Sequence, residues 1–227
     1  ASVFSYRKKT TASKEKPEHL EFKLMNDQIV TNIPLKSQTD QKLPYILTYM
    51  GKPIIDQNHD SYESIETELT DDLQKIQASY LMDHWGVCTI HNKHLVFFHQ
   101  QACEELLQEI GSKLHKNQKL SEYNIHLVKE SEISTNMKSF TGKLIGEPIS
   151  EHYQAWSWER GVGKTTACGS GACAIGSLVA QSDFHEPGSW TGVEMPGGTL
   201  FVKYTNNDSD VELIGCSKFV YRGTIDI

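Results

Sequence analysis

The chain has 227 residues, of which 38% are hydrophobic and 22% charged, and its formal net charge is −7 at pH 7. This composition is typical of a globular protein with one large or two small domains, and the acidic balance argues against nucleic acid as a partner. The sequence shows neither an apolar run of membrane-spanning length nor a recognisable leader, so we expect a cytoplasmic protein without a membrane partner.

Five cysteines are spread along the chain, at positions 88, 103, 168, 173 and 216. An odd number in a chain of this size does not resemble a disulfide framework, so we expect reduced thiols. Reduced thiols leave a cysteine available for chemistry.

The first third of the chain predicts antiparallel strands. Residues 19–35 and 45–55 place apolar side chains at intervals of two. The acidic segment 56–72 has little periodicity, and we interpret it as a surface connection. The predicted organisation is 1–53 as the remainder of an N-terminal lobe, 54–216 as a C-terminal lobe, and 217–227 as a final strand that returns to the N-terminal lobe.

The rest of the chain alternates strand-like runs with two helical segments. Residues 86–99 predict a long strand with a break at Asn92 and Lys93. The segment 100–116 has its apolar residues at helical spacing, and the apolar segment 172–180 predicts a second helix. Gly, Pro-Gly-Gly and Asn-Asn-Asp turns separate the remaining runs. The pattern predicts an α+β fold in which a mostly antiparallel sheet wraps a central helix.

The segment WERGVGKTTACGSGACAIG, residues 158–176, contains a Gly-Lys-Thr triplet. A phosphate-binding loop has the pattern G-x-x-x-x-G-K-[ST], but Trp158 stands where its first glycine belongs. The triplet also leads into a second glycine turn and not directly into a helix. We therefore do not assign nucleotide binding.

The glycine turn after Cys168 is more informative. Gly169, Ser170 and Gly171 allow a sharp turn and present N–H groups at the start of the following helix, which favours an anion. A cysteine at such a turn is expected to have a lowered pKa, so Cys168 is a candidate base or nucleophile. Cys173, one turn further on, is predicted to be buried. The alternative reading of Cys168, a small apolar residue at a helix cap, remains open.

Two other groups of residues suggest chemistry less strongly. Cys88, His91 and His94 have a spacing found among metal ligands, but alternate strand residues face opposite sides, so His91 would point away from the other two. We therefore predict no metal site. Glu159 and Arg160 precede the glycine turn at a strand end, where an arginine can bind a carboxylate in bidentate fashion.

The segments ERGVGKTTACGSGACA and VEMPGGTLFVKY resemble the C-terminal half of diaminopimelate epimerases, whose second cysteine motif is E-R-G-x-G-E-T-x-A-C-G-[ST]-G-A-C-A. Four further segments match the family in their order along the chain: YMGKPI, HNKHLVFF, YNIHLV and, at the end, GCSKFVYRGTIDI. The resemblance therefore covers about Leu20 to the end. It implies two pseudo-symmetric lobes, each a barrel-like antiparallel sheet around a central helix, with the active site between them. The N-terminal lobe would be incomplete here.

The resemblance also implies a reaction. Family members interconvert LL- and meso-diaminopimelate, in lysine and peptidoglycan precursor synthesis, without pyridoxal phosphate or metal. One cysteine thiolate removes the α-proton while a thiol on the opposite face delivers another. By motif position, Cys168 is one of this pair, and His94 and Glu159 help to set thiol protonation. Substrate contacts are implied for Asn92, Asn124, Glu159, Arg160, Gly169 and Ser170.

The chain departs from the family pattern at specific places. Lys164 replaces a glutamate of the second motif. The family's G-N-P-H motif corresponds to the segment His91–His94, which lacks its glycine and its proline. The first cysteine motif, C-G-N-G-x-R-C, is absent. None of the other four cysteines stands at a glycine-rich turn. We therefore expect that a segment carrying half the site is not represented here, and that the chain alone is nearly inactive.

Two alternatives stay open. The charge reversal at Lys164 could fit a related cofactor-independent racemase with another amino-acid substrate. A binding or scaffold member that has lost one base is the non-enzymatic alternative. The expected partner is a small-molecule amino-acid substrate, and a homodimer is common in the family.

Overall fold

The structure is a computed structural model. It describes residues 5–6, 20–23, 29–35, 45–56, 67–134, 137, 141, 144–147, 149–181, 186 and 188–217. Apart from Ser217, the predicted final strand over 217–227 lies outside these residues. Among the helices described, none is both long and apolar enough to cross a membrane.

The described residues form thirteen strands, three α-helices and one 3₁₀ turn at Leu120–Glu122. The helices are α1 (Thr67–Tyr80), α2 (Glu104–Leu114) and α3 (Gly169–Val179). The strands are β1 (Ser5–Tyr6), β2 (Leu20–Lys23), β3 (Ile29–Leu35), β4 (Tyr45–Tyr49), β5 (Ile54–Asp56), β6 (His84–Ile90), β7 (Asn92–Phe98), β8 (Asn124–Glu130), β9 (Ile149–Glu159), β10 (Gly163–Thr165), β11 (Trp190–Met195), β12 (Gly198–Lys203) and β13 (Glu212–Cys216).

All thirteen strands belong to one sheet, in the order β1-β2-β3-β4-β13-β12-β11-β9-β8-β7-β6-β5, with β10 paired to β9. The β7–β8 and β9–β11 pairs are parallel and the others antiparallel. The sheet path from β4 to β5 would be about 38 Å wide if it were flat. Only residues 50–53 join these two strands along the chain, and they reach about 18 Å. The sheet must therefore curl, although β4 and β5 do not pair among the described residues and the sheet stays open.

The strands of the curled sheet have two buried faces. On the inner face, Cys88, Val96, Val128 and Val193 pack with α3. On the outer face, the strand residues Leu95, Phe97, Ile125 and Leu127 pack under α1 and α2. Because successive strand residues alternate between faces, even-numbered residues of β7 and β8 point toward α3.

Helix α3 is the core of this arrangement. It is apolar on all sides, and every residue from Gly171 to Val179 is buried, as expected for a helix enclosed by a sheet. Gly176 lets it approach β12 closely, since a methyl group there would lie 2.5 Å from a side-chain carbon of Val202. The predicted α+β fold, with a sheet wrapped around a central helix, is confirmed, as is the burial of Cys173.

The sequence-based assignment was wrong at two places. Helix α1 starts at Thr67, inside the segment 56–72 that we interpreted as a surface connection. Its apolar residues Leu69, Leu73, Ile76 and Tyr80 have helical spacing, but the polar residues between them hid the pattern. The predicted break at Asn92 lies instead at His91, which turns with φ of 58°. The predicted boundary between 53 and 54 falls in the connection from β4 to β5, and the lobe assignment stays a prediction.

Candidate active site

Cys168 is the residue that caps α3 at its N-terminus. Its backbone is extended, with φ −139° and ψ 107°, and its Sγ accepts the N–H of Gly171 at 3.3 Å. The hydroxyl of Ser170 lies 3.7 Å from the same sulfur. The side chain is 6% exposed. A thiol is thus held at the positive end of a helix, where a thiolate would be stabilised.

The pKa of Cys168 nevertheless rises, to about 11 from an ordinary value of 9.0. Burial is the main cause and the neighbouring Glu159 carboxylate is the second, while the Ser170 hydroxyl and the Gly171 N–H act in the opposite direction. Our expectation of a lowered pKa was therefore wrong. A helix N-terminus does not compensate for both desolvation and an adjacent negative charge.

Polar residues gather on the inner face of the sheet, next to this end of α3. They come from three neighbouring strands, β7, β8 and β9. In the strand register His94 pairs with Asn124, and His126 pairs with Ser157. The four side chains are all buried, and Glu159 follows on the same face of β9. The site is therefore formed by one helix end and three strand segments far apart in sequence.

Two buried histidines lie at the centre of this face. Nδ1 of His94 lies 2.9 Å from Nε2 of His126, and Nδ1 of His126 lies 2.9 Å from Oγ of Ser157. Burial lowers the pKa of His94 to about 4 and that of His126 well below its ordinary value. Both rings are therefore neutral at pH 7.

Helix α3 leaves room for His126 only because residue 171 is glycine. A methyl group at Gly171 would lie 2.3 Å from Cε1 of His126, far inside van der Waals contact. The His126 ring therefore packs directly on the first turn of α3, at the same residue whose N–H bonds the Cys168 sulfur.

Glu159 and Asn124 are each held by a hydrogen bond. The Thr165 hydroxyl donates to Oε1 of Glu159 at 2.7 Å, and the backbone N–H of Arg160 donates to Oδ1 of Asn124 at 2.8 Å. These bonds fix the end of β9 and the turn into β10 beside Cys168. The structure thus brings together four residues implied by the resemblance: Cys168, His94, Asn124 and Glu159.

The other implied residues lie at the border of the site. Asn92 is exposed and lies on the same face of β7 as His94. The Arg160 side chain is exposed beyond the end of β9. The N–H groups of Gly169 and Ser170 have no acceptor among the described residues, so they remain available to an anion at the start of α3.

Lys164 lies on the other side of the sheet. It pairs in register with Trp158, whose side chain packs on the outer face, and its Nζ forms an ion pair with Glu104 at the start of α2. A surface depression of about 530 Å³ lies on this outer side, bordered by Lys164, Trp158 and His115 among others. The suggestion that Lys164 changes the charge around the substrate is therefore not supported by its position.

Sequence reasoning missed His126 and Ser157. The signal for His126 was present, since it stands two residues after Asn124 on one strand and must share its face. Ser157 gave no comparable signal, because its role depends on the register between β8 and β9.

The residues that could hold a metal are not the ones whose spacing in the sequence resembled a metal site. Donor atoms of His94, His126 and Cys168 lie within 4.8 Å of one another, and His91 is not part of this cluster.

Comparison with known proteins gives the chain's relatives. It is 28% identical over 220 residues to the diaminopimelate epimerase of Natranaerobius thermophilus, covering 96% of this chain and 66% of that protein. It is 26% identical over 200 residues to the diaminopimelate epimerase of Leptospira biflexa, covering 87% and 64%. The resemblance read from the motifs is thereby confirmed. The chain spans just under two thirds of the length of these curated relatives.

The fold is shared with a solved structure. The Bacillus anthracis phenazine biosynthesis protein of the PhzF family superposes with a TM-score of 0.52 at 11% identity, covering 88% of this chain and 65% of that one. This likeness concerns the fold alone. No protein-family model matches the chain.

Proposed function

We propose that this chain carries one half of the active site of a cofactor-independent amino-acid epimerase acting on diaminopimelate. The observation that carries the proposal is the position of Cys168. Its thiol lies at the N-terminus of α3, beside Glu159, with the Gly171 N–H on its sulfur. The relatives named diaminopimelate epimerase support the choice of substrate.

The chemical difficulty of the reaction is the weak acidity of an amino-acid α-proton. A carbanion at that carbon is stabilised when donors hold the adjacent carboxylate in a site that excludes water. The N–H groups of Gly169 and Ser170 point from the positive end of α3 and can bind this carboxylate. The Glu159 carboxylate can bind the substrate's α-ammonium group.

The raised pKa of Cys168 supports a role as the proton donor in the first turnover. With a pKa of about 11, the sulfur rests as a thiol at pH 7. In the first turnover it therefore donates a proton to the α-carbon, while a thiolate on the opposite face removes the original α-proton. After one turnover Cys168 is the thiolate and its partner the thiol, so the reverse reaction uses the same groups in exchanged roles.

Substrate binding also favours this exchange of roles. The α-ammonium group would neutralise Glu159, whose charge raises the pKa of Cys168 in the free protein. A thiolate at Cys168 is then less costly when substrate is bound than when it is not. The distal amino-acid end of the substrate is proposed to contact Asn92, Asn124 and Arg160. The second thiol is proposed to come from a segment carrying the first cysteine motif, which this sequence does not contain.

The test is proton exchange at the α-carbon. LL-diaminopimelate is incubated in D₂O with the full-length protein and followed by proton NMR. We expect deuterium at the α-position together with meso product, and loss of both in Cys168→Ser. Cys216→Ser, at an exposed cysteine outside the site, is the matched control and should behave as the parent.

The alternatives predict other results. Exchange with another amino acid but not with diaminopimelate would identify a related racemase. A folded protein that binds diaminopimelate without any exchange would support the scaffold alternative. Either result would overturn the proposed reaction.

A further inference from the structure

Three buried side chains bring metal-binding atoms together inside the sheet. One ring nitrogen of His94, one of His126 and the Cys168 sulfur lie within 4.8 Å of one another. The residues are 0%, 0% and 6% exposed. In a tetrahedral zinc site, with Zn–N of about 2.0 Å and Zn–S of about 2.3 Å, such atoms lie roughly 3.3 to 3.6 Å apart. Metal binding would therefore draw the three donor atoms closer together than the 4.8 Å within which they lie.

Hydrogen bonds around the cluster orient the ligands. His126 can donate from Nδ1 to Ser157 Oγ at 2.9 Å, which leaves the lone pair of Nε2 directed at Nδ1 of His94, 2.9 Å away. A bound metal ion would replace this contact between the two rings. This outer bond is the kind that fixes the tautomer of metal-binding histidines. The Gly171 N–H on the Cys168 sulfur stabilises the thiolate that a metal requires. The ligands are thus already supported by a second layer of contacts.

The two ring nitrogens of His94 have different surroundings. Its Nδ1 contacts His126, but its Nε2 is buried without a hydrogen-bond partner. A buried ring nitrogen left unpaired costs free energy. Metal binding at Nδ1, the nitrogen that faces His126, would keep the ring neutral with its proton on Nε2, and the ring also interacts with the Ile90 backbone.

We propose that His94, His126 and Cys168 form a three-ligand site for a Zn²⁺ ion. Nitrogen and sulfur donors suit zinc, whereas Mg²⁺ and Ca²⁺ require oxygen ligands. The fourth position is left for water or a carboxylate. On binding, the Cys168 thiol releases its proton to solvent and a Zn–S bond forms. Bound zinc would prevent Cys168 from exchanging a proton with a substrate; this consequence, unlike the site itself, rests on the proposed function.

The site is tested by binding, without reference to activity. The full chain is reduced, freed of metal with a chelator, and titrated with Zn²⁺ in competition with a chromophoric chelator. Co²⁺ is used in parallel, because a thiolate-to-cobalt absorption band reports a sulfur ligand. We expect one equivalent of metal, no such band in Cys168→Ser, and affinity reduced at least about 100-fold in His126→Gln, since a ligand should matter more than an outer contact.

Matched controls separate this site from incidental binding. Cys103→Ser and Cys216→Ser change the two cysteines that are not fully buried, and both variants should bind as the parent does. Zinc should raise the unfolding temperature of the parent and these controls, but not that of Cys168→Ser. Ser157→Ala keeps all three ligands and should weaken binding by roughly tenfold, which tests the site even if His126→Gln folds poorly.

Two results would overturn the proposal: no stoichiometric zinc binding by the folded parent, or binding and a cobalt–sulfur band that survive in Cys168→Ser. Proton exchange in the metal-free protein is measured separately. Exchange without zinc binding rejects only the metal site, and zinc binding without exchange rejects only the proposed reaction.

Discussion

Nδ1 of His94 lies 2.9 Å from Nε2 of His126, with both rings fully buried beside the first turn of α3. Neither ring has a carboxylate hydrogen-bonded to it in the structure described. The pair therefore favours the neutral form of both rings, and it links the stability of the fold to pH.

We predict that the protein loses stability as pH falls below about 6.5. Because the pKa of His94 is lowered to about 4 and that of His126 is also lowered, the unfolded chain binds more protons in this range. This contribution to stability is fully present above pH 6.5 and is lost as the pH falls toward 4. For His94 alone, the loss in the free energy of unfolding is on the order of 3 kcal/mol. Urea unfolding at pH 7, 6 and 5 should show a smaller pH slope in His126→Asn. Leu107→Val, destabilised with all histidines intact, should keep the parent's slope; an equal slope in His126→Asn would contradict the prediction.

The reactivity of Cys168 should follow its raised pKa. Alkylation by iodoacetamide, measured for the Cys168 peptide by mass spectrometry as a function of pH, should show an apparent pKa near 11. Glu159→Gln removes a neighbouring negative charge, so it should lower this pKa and increase the alkylation rate at pH 9 severalfold. Glu104→Gln, on the outer face beside Lys164, is the control and should leave the rate unchanged. An apparent pKa at or below 9 in the parent would restore the sequence-based expectation.

Gly171 is predicted to be intolerant of a side chain. In Gly171→Ala the new methyl group would lie 2.3 Å from His126, so the ring must move and its contacts with His94 and Ser157 must break. We expect a loss of about 1 to 3 kcal/mol in the free energy of unfolding. In Gly169→Ala the nearest atom would be Leu213 Cδ2 at 3.5 Å, an ordinary contact, so this variant should be as stable as the parent. Equal stability of the two variants would show that His126 does not pack on α3 as described.

Lys164→Glu, which restores the residue of the family motif, should have little effect on catalysis. Lys164 lies on the outer face and pairs with Glu104 in an exposed ion pair, so losing the pair should cost less than about 1 kcal/mol. If the full-length protein exchanges the α-proton of diaminopimelate, kcat/KM should change by less than about twofold. Lys164→Gln separates charge loss from charge reversal. A changed substrate preference in Lys164→Glu alone would favour the related racemase.

Much of the site was visible in the sequence. The glycines after Cys168 predicted a helix start, and α3 begins at Gly169. Alternation along a strand placed Cys88 and His94 on one face, and the two residues pair in register in the structure. Such features depend on neighbours within a few residues, which is why periodicity and turn chemistry reveal them.

The tertiary structure alone decided how these residues act. His94, His126 and Cys168 are separated by dozens of residues, and they meet because the sheet curls around α3 and sets β7, β8 and β9 against its first turn. Burial and Glu159 then outweigh the helix terminus and raise the pKa of Cys168. The register of β10 on β9 directs Lys164 to the opposite face. The local sequence determines which chemical groups are present. Their desolvation, their distance from other charges and the strand register depend on long-range packing. Only the folded chain therefore determines the protonation and the partners of these groups.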